Sequence, residues 1–178
     1  MNLQNYLFSL LISSIPTSIT AQSNPDITAS CAYPAPNTCT FYPSCLERVY
    51  HCGDSGYPLA FGNKYCTKTL EYRSLLSPAG QSWSTNAMLC LQEQLVPLLP
   101  ESANQEKDCH QLERYAMATH ANCFVQSGVC SLGLKDWEVI VEIIWPALLS
   151  EWRTWVSAVE TAEECIGFTK WLALWHLS

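Results

Sequence analysis

From Trp83 onward, Ala87, Met88, Cys90, Leu91, Leu95 and Val96 recur at spacings of three and four, the period of an amphipathic helix. Pro97 and Pro100 are expected to stop that helix. Cys109–Val125 repeats the pattern, with Leu112, Tyr115, Ala116, Thr119 and Cys123 on one face, and Ser127-Gly128 breaks it. Between the two, Ser102–Asp108 is a polar connection. Asp136 is placed to cap a long final helix. Its wide apolar stripe runs through Val139, Ile140, Ile143, Ile144, Ala147, Leu148, Trp152, Trp155, Val156 and Val159, and Pro146 inside it predicts a kink or a break. Upstream, Tyr65–Leu76 reads as helical and Ser77-Pro78-Ala79-Gly80 as a turn. Cys45–Cys52 is a candidate short helix, followed by a loop carrying Gly53, Gly56, Pro58 and Gly62. No stretch alternates as a strand would. The predicted class is all-α, a bundle of helices.

The first 21 residues carry no charged side chain. Leu7, Phe8, Leu10, Leu11 and Ile12 form an apolar run, Pro16 interrupts it, and small residues follow, so residues 1–21 are expected to be a signal peptide cleaved after Ala21. The run is shorter than the roughly 20 residues that a transmembrane helix needs. Residues 22–40, rich in Ser, Asn, Thr and Pro, read as an extended, linker-like N-terminus that Cys31 and Cys39 pin. A disulfide-rich helical domain spans 31–168, and 169–178 is an apolar, Trp-rich tail. Trp171, Leu172, Leu174 and Trp175 of the tail are a candidate partner or dimer surface. Trp137, Trp145, Trp152 and Trp155, at helical spacing, are read as core packing.

Composition narrows the function. With 48% hydrophobic and 14% charged residues and seven Trp, the 178-residue chain can bury enough to fold as one domain rather than remain disordered. A net charge of −7 argues against nucleic acid or an anionic membrane as partner. Ten Cys, all after the expected signal peptide, read as disulfides in an exported chain. No Cys-x2-Cys or His-x3-5-His spacing exists to hold zinc, so no metal and no cofactor is expected.

Nor does the chain carry a recognisable catalytic constellation. Gly80-Gln81-Ser82-Trp83-Ser84 lacks the closing glycine of a nucleophile elbow, and paired cysteines supply no thiol. Cys109-His110 resembles part of the active-site run of the calcium-dependent secreted phospholipases, but Gln111 stands where their calcium-binding Asp would be. His110, Glu113 and His120 are expected on a solvated helix face, and His51 and His176 have no partner near in sequence. Glu160, Glu163 and Glu164 read as a solvated acidic helix end. The expectation is a protein that is not an enzyme.

The cysteine frame is the most specific signal. The run Cys66-x23-Cys90, then Cys109-x13-Cys123-x6-Cys130-x34-Cys165, resembles that of the stanniocalcins, secreted helical glycoprotein hormones. The helix after Cys66 ends at a turn glycine, Gly80; Cys123–Cys130 (CFVQSGVC) is similar to the family's Cys-Tyr-x4-Val-Cys; and Pro146 stands at the family's proline between Cys130 and Cys165. The family's connectivity implies the bridges Cys31–Cys45, Cys39–Cys66, Cys52–Cys109, Cys90–Cys123 and Cys130–Cys165. The resemblance further implies a secreted, non-catalytic, hormone-like or binding ligand whose partner is a protein receptor or a protease. Three departures stand out: a longer Cys90–Cys109 interval, differently spaced N-terminal cysteines and no Asn-x-Ser/Thr sequon after the signal peptide. The cysteine that makes stanniocalcins covalent dimers has no counterpart, so a disulfide-linked dimer is not expected and a non-covalent one stays open. A secreted effector acting on a host, and a hydrolase with a spatially assembled site, are the alternatives.

Overall fold

The computed structural model describes residues 25–99, 108–150 and 152–165, and all regular structure among them is helical. The expected signal peptide (1–21), the tail (169–178) and most of the polar connection lie outside the described residues. The elements are α1 (Pro25–Ala32), a π-helical turn (Tyr42–Glu47) continuing into α2 (Arg48–Tyr50), a second π-helical segment (Tyr57–Asn63) running into α3 (Lys64–Tyr72), and α4 (Pro78–Glu93). Then follow α5 (Cys109–Ala118), α6 (His120–Gln126), α7 (Leu134–Ser150) and α8 (Trp152–Glu164).

Several elements differ from the sequence expectation, each for a local reason. The stretch 22–40 is not extended throughout: Pro25–Ala32 is helical, with a proline at the first position, where its fixed φ suits a helix and its missing N–H has no bond to lose. The expected loop after Cys52 holds the second π-helical segment, with Pro58 at its start and Gly62 inside it. The ring of Tyr42 occupies the space that a β-carbon on Gly62 would fill, so the glycine permits this approach. Ser77-Pro78-Ala79-Gly80 is the start of α4 rather than a separate turn: the Gly80 N–H donates to Ser77 Oγ at 3.1 Å. Cys109–Val125 is two helices. Thr119 Oγ1 donates to the Ala116 carbonyl at 2.7 Å, and its N–H bonds the same oxygen at 3.2 Å, which tightens the chain between α5 and α6.

Asp136 does not cap α7. It lies in the first turn of a helix that begins at Leu134, is buried, and accepts from Ser77 N–H and Ser77 Oγ, both at 2.7 Å, so it ties the start of α7 to the start of α4. Pro146 does not end its helix. A proline cannot donate to the carbonyl four residues back, that of Glu142. Lys68 of α3 donates to the Glu142 and Ile143 carbonyls at 3.0 and 2.9 Å and meets the need from outside the helix. The apolar stretch expected to be one helix is divided between α7 and α8.

Five disulfides, with Cα–Cα distances of 5.3 to 5.8 Å, staple these elements. Cys31–Cys45 and Cys39–Cys66 fasten the N-terminal part, and Cys52–Cys109 holds α5. Cys90–Cys123 links α4 to α6, and Cys130–Cys165 joins the approach to α7 with the end of α8. These are the pairs that the resemblance implies. The main core gathers Phe41, Tyr42, Leu46, Tyr57, Leu95 and Leu112; a second cluster forms around Trp83, Val129 and Ile140, and a third around Leu76, Val139 and Ile143. The fold is an all-α, disulfide-stapled bundle, and no helix among the described residues is long and apolar enough to cross a membrane.

Candidate binding surface

Helix α8 is turned against its own hydrophobic pattern. The residues it buries are Thr154, Ser157 and Thr161, at helical spacing along one face. Ser157 Oγ donates to the Met117 carbonyl of α5 at 3.1 Å, Thr161 Oγ1 to the Ser157 carbonyl at 2.7 Å, and Arg153 pairs with Glu113 of α5. The residues it turns outward are Trp155, Val156 and Val159, exposed by 52%, 40% and 50%. The Trp155 indole N–H donates to the Leu148 carbonyl of α7 at 2.6 Å, which fixes the ring at the junction of the two helices beside exposed Leu149. Glu160 and Glu163 flank the strip in solvent. An apolar strip with a fixed indole and an acidic edge has the composition of a protein-contact site.

The expected Trp core is therefore corrected. Trp137 is half-buried and packs on the second cluster, Trp145 and Trp155 are half-exposed, and the Trp152 side chain is outside the described residues, as are Trp171, Leu172, Leu174 and Trp175. Periodicity found the apolar stripe but assigned it to the interior. The signal that could have pointed outward is the run of Thr154, Ser157 and Thr161, a second face of small residues at helical spacing whose short side chains allow close helix packing.

The candidate chemistry residues are separated. His110 and Glu113 line a polar cleft of about 630 Å3 with Lys64, Arg153 and the Cys52–Cys109 bridge, and the Glu113 carboxylate is engaged by Arg153. His120, expected on the same solvated face, is buried instead. Its ring meets Phe61 and Phe124 edge-on, with centroids 5.8 and 5.6 Å away, and Nδ1–H donates to the Ala116 carbonyl at 2.8 Å. Desolvation holds its pKa below the ordinary histidine value. It walls an apolar interior cavity of about 90 Å3 together with Tyr42, Tyr57, Phe61, Trp83 and Phe124, residues from separate segments that no local motif joins. His51 is exposed with a positive φ of 54°, and His176 lies outside the described residues.

No protein-family model, curated protein or solved structure matches this chain.

Proposed function

We propose that the protein is secreted and acts without catalysis, as a stanniocalcin-like extracellular ligand gripped by a protein partner through the outward face of α8. The observation that carries the reading is the inverted helix: Trp155, Val156 and Val159 face solvent while Thr154, Ser157 and Thr161 face the bundle. A lone exposed valine needs no explanation, but an apolar strip along one helix does. Five disulfides suit an oxidising, extracellular setting, and the cysteine frame supports the family resemblance. A Trp in such a strip, desolvated when a partner covers it, is the residue type that dominates contact energy.

Labelled, oxidised protein is expected to bind saturably to the surface or secretions of the tissue that meets it. Val159→Glu with Trp155→Ser should weaken that binding by about a hundredfold, the loss of one hot-spot cluster. Both positions are half-exposed, so circular dichroism should not change. Wild-type binding unaffected by the pair of substitutions would remove the α8 face from the reading. Turnover of lipid, peptide or glycan that His110→Ala abolishes would replace the ligand role with a hydrolytic one.

A further inference from the structure

The polar cleft beside α5 carries a charge opposite in sign to that of the chain. Among the described residues that line it, Lys64 and Arg153 are cationic and Glu113 alone is anionic, in a protein of net charge −7. Glu113 is engaged by Arg153, whereas Lys64 is exposed and makes no ion pair among the described residues. His110, also exposed, lines the same cleft. The N–H groups of His110 and Gln111 at the start of α5 donate to Asp108, so the positive excess comes from side chains and not from a helix end. At about 630 Å3 the cleft has the size of a small-molecule site.

One wall is aromatic. Tyr57, Phe61 and Tyr65 recur every four residues where the second π-helical segment runs into α3, and their ring centroids follow one another at 5.8 and 4.7 Å. The same rings line the interior cavity, so this column is the partition between cavity and cleft. Tyr42 meets Tyr57 edge-on at 6.4 Å and His120 meets Phe61 at 5.8 Å, which sets the column before a ligand arrives. Tyr57 and Phe61 lie 18° from parallel, and a stacked pair turns its positive ring edges sideways. The Lys64 ammonium stands 5.3 Å from the Tyr65 centroid, at the other end of the column from Tyr57. Tyr57 is only 6% exposed, and its hydroxyl has no hydrogen-bond partner among the described residues. Burial first, then Tyr42 and the Glu113 carboxylate, hold its pKa well above the ordinary value, so the phenol remains a donor.

We propose that the cleft binds a small aromatic carboxylate, with its ring along the Tyr57–Phe61–Tyr65 column, its carboxylate on Lys64 and a hydrogen-bond acceptor at its far end on the Tyr57 hydroxyl. The negative face of the ligand ring meets the positive edges of the stacked pair. Lys64 supplies the charge that is not already paired, which suits a monoanion better than a doubly charged phosphate monoester. The acceptor meets a buried hydroxyl that otherwise forgoes its bond. The site is separate from the α8 strip, and binding there involves no bond making or breaking.

Isothermal titration of the full, oxidised chain with 6-methoxy-2-naphthoate tests this. Saturable, one-to-one binding is expected with a Kd of about 10–100 µM, the range for a ligand of that size. The neutral alcohol of the same skeleton, 6-methoxy-2-naphthalenemethanol, should bind about tenfold or more weakly. Lys64→Glu should weaken the naphthoate about tenfold or more, with circular dichroism unchanged because Lys64 is exposed. Tyr57→Phe should weaken it about threefold or more. The Lys64 variant keeps the test sound if Tyr57→Phe misfolds. Val159→Glu with Trp155→Ser on α8 should leave the affinity as it is. No saturable binding by the parent chain up to about 1 mM overturns the proposal. So does equal affinity for the alcohol, or undiminished binding by the Lys64 variant or by folded Tyr57→Phe. Loss of binding in the α8 variant, with none in Lys64→Glu, would overturn it by moving the ligand to the apolar strip.

Discussion

A histidine ring set edge-on between Phe61 and Phe124 is favoured there as the neutral imidazole, because a buried imidazolium would lose its hydration and the backbone carbonyls beside it do not offset that loss. Burial lowers the His120 pKa in the folded state, so between the folded and unfolded values the unfolded chain binds more protons. The stability this group contributes is complete above the ordinary histidine pKa and is lost as pH falls through it toward the folded value. Urea midpoints measured from slightly alkaline to mildly acidic pH should therefore fall for the parent protein, and His120→Gln should flatten the part of the slope near pH 6.5. An identical slope in the variant would assign the acid sensitivity to other groups. Asp108 titrates elsewhere: the N–H groups of Gln111 and His110 hold its carboxyl below the usual carboxylate range, so its cap weakens only in stronger acid. Sequence placed His120 on the flank of His110 because a straight helix from Cys109 would carry it there. The Thr119 hydroxyl, which ends α5 early, left no periodic trace.

At the scale of elements, Pro146 and Lys68 form one device. The proline removes an intrahelical donor in the middle of α7, and the lysine ammonium, poised over the Tyr72 ring at 5.3 Å, supplies it from α3. Lys68→Met keeps the aliphatic stem and deletes the donor, so it should destabilise the fold by about 1 kcal/mol, the net worth of an ordinary hydrogen bond, since water can reach the exposed Glu142 carbonyl. Pro146→Ala restores a backbone N–H able to bond the Glu142 carbonyl. In that background Lys68→Met should therefore cost less, by about 0.5 kcal/mol or more, a coupling that denaturant unfolding of the four proteins would resolve. Strict additivity would mean that the lysine acts only through packing on Tyr72. Helices α4 and α5 are legible in the sequence because their apolar residues recur at three and four, and α3 falls within the stretch Tyr65–Leu76 that reads as helical. The π-helical segment Tyr57–Asn63 was not, since Pro58 and Gly62 read locally as loop while the pressure that coils it comes from the Tyr42 ring packed against Gly62. Helix α8 was found but with its faces exchanged, because apolar periodicity gives a helix its stripe and not the direction in which that stripe points.

The whole molecule is held by two different means, and α7–α8 shows where they part. The helical class was readable from the absence of alternation, and so was the even set of cysteines, yet their spacing alone could not choose a connectivity; only the resemblance implied the five pairs that the structure forms. In the chain-entropy account, loop closure contributes about 3 kcal/mol for Cys31–Cys45, at a separation of 14, and about 4 kcal/mol for Cys52–Cys109, at 57. Cys90–Cys123 joins helices that also share buried apolar surface: Cys123 is fully buried, and Trp83, Ala87 and Met88 of α4 are core residues. Helix α8 has little of that support, for the face it docks is Thr154, Ser157 and Thr161, and its apolar side chains stand in solvent. Beyond its packing on α6, what fastens it is the Cys130–Cys165 bridge, the Arg153–Glu113 pair and the Ser157 hydroxyl on the Met117 carbonyl, and the last two are each worth only about 1 kcal/mol. Replacing Cys130 and Cys165 by Ser should therefore release α8 alone: its amides should exchange on the order of a hundredfold faster, while those of α4 and α6 keep the protection of the intact core. Cys90→Ser with Cys123→Ser should instead lower protection throughout, because that bridge lies within the cooperative unit. If the Cys130–Cys165 variant loses protection uniformly, α8 belongs to the core and its outward apolar face carries no special freedom to be gripped.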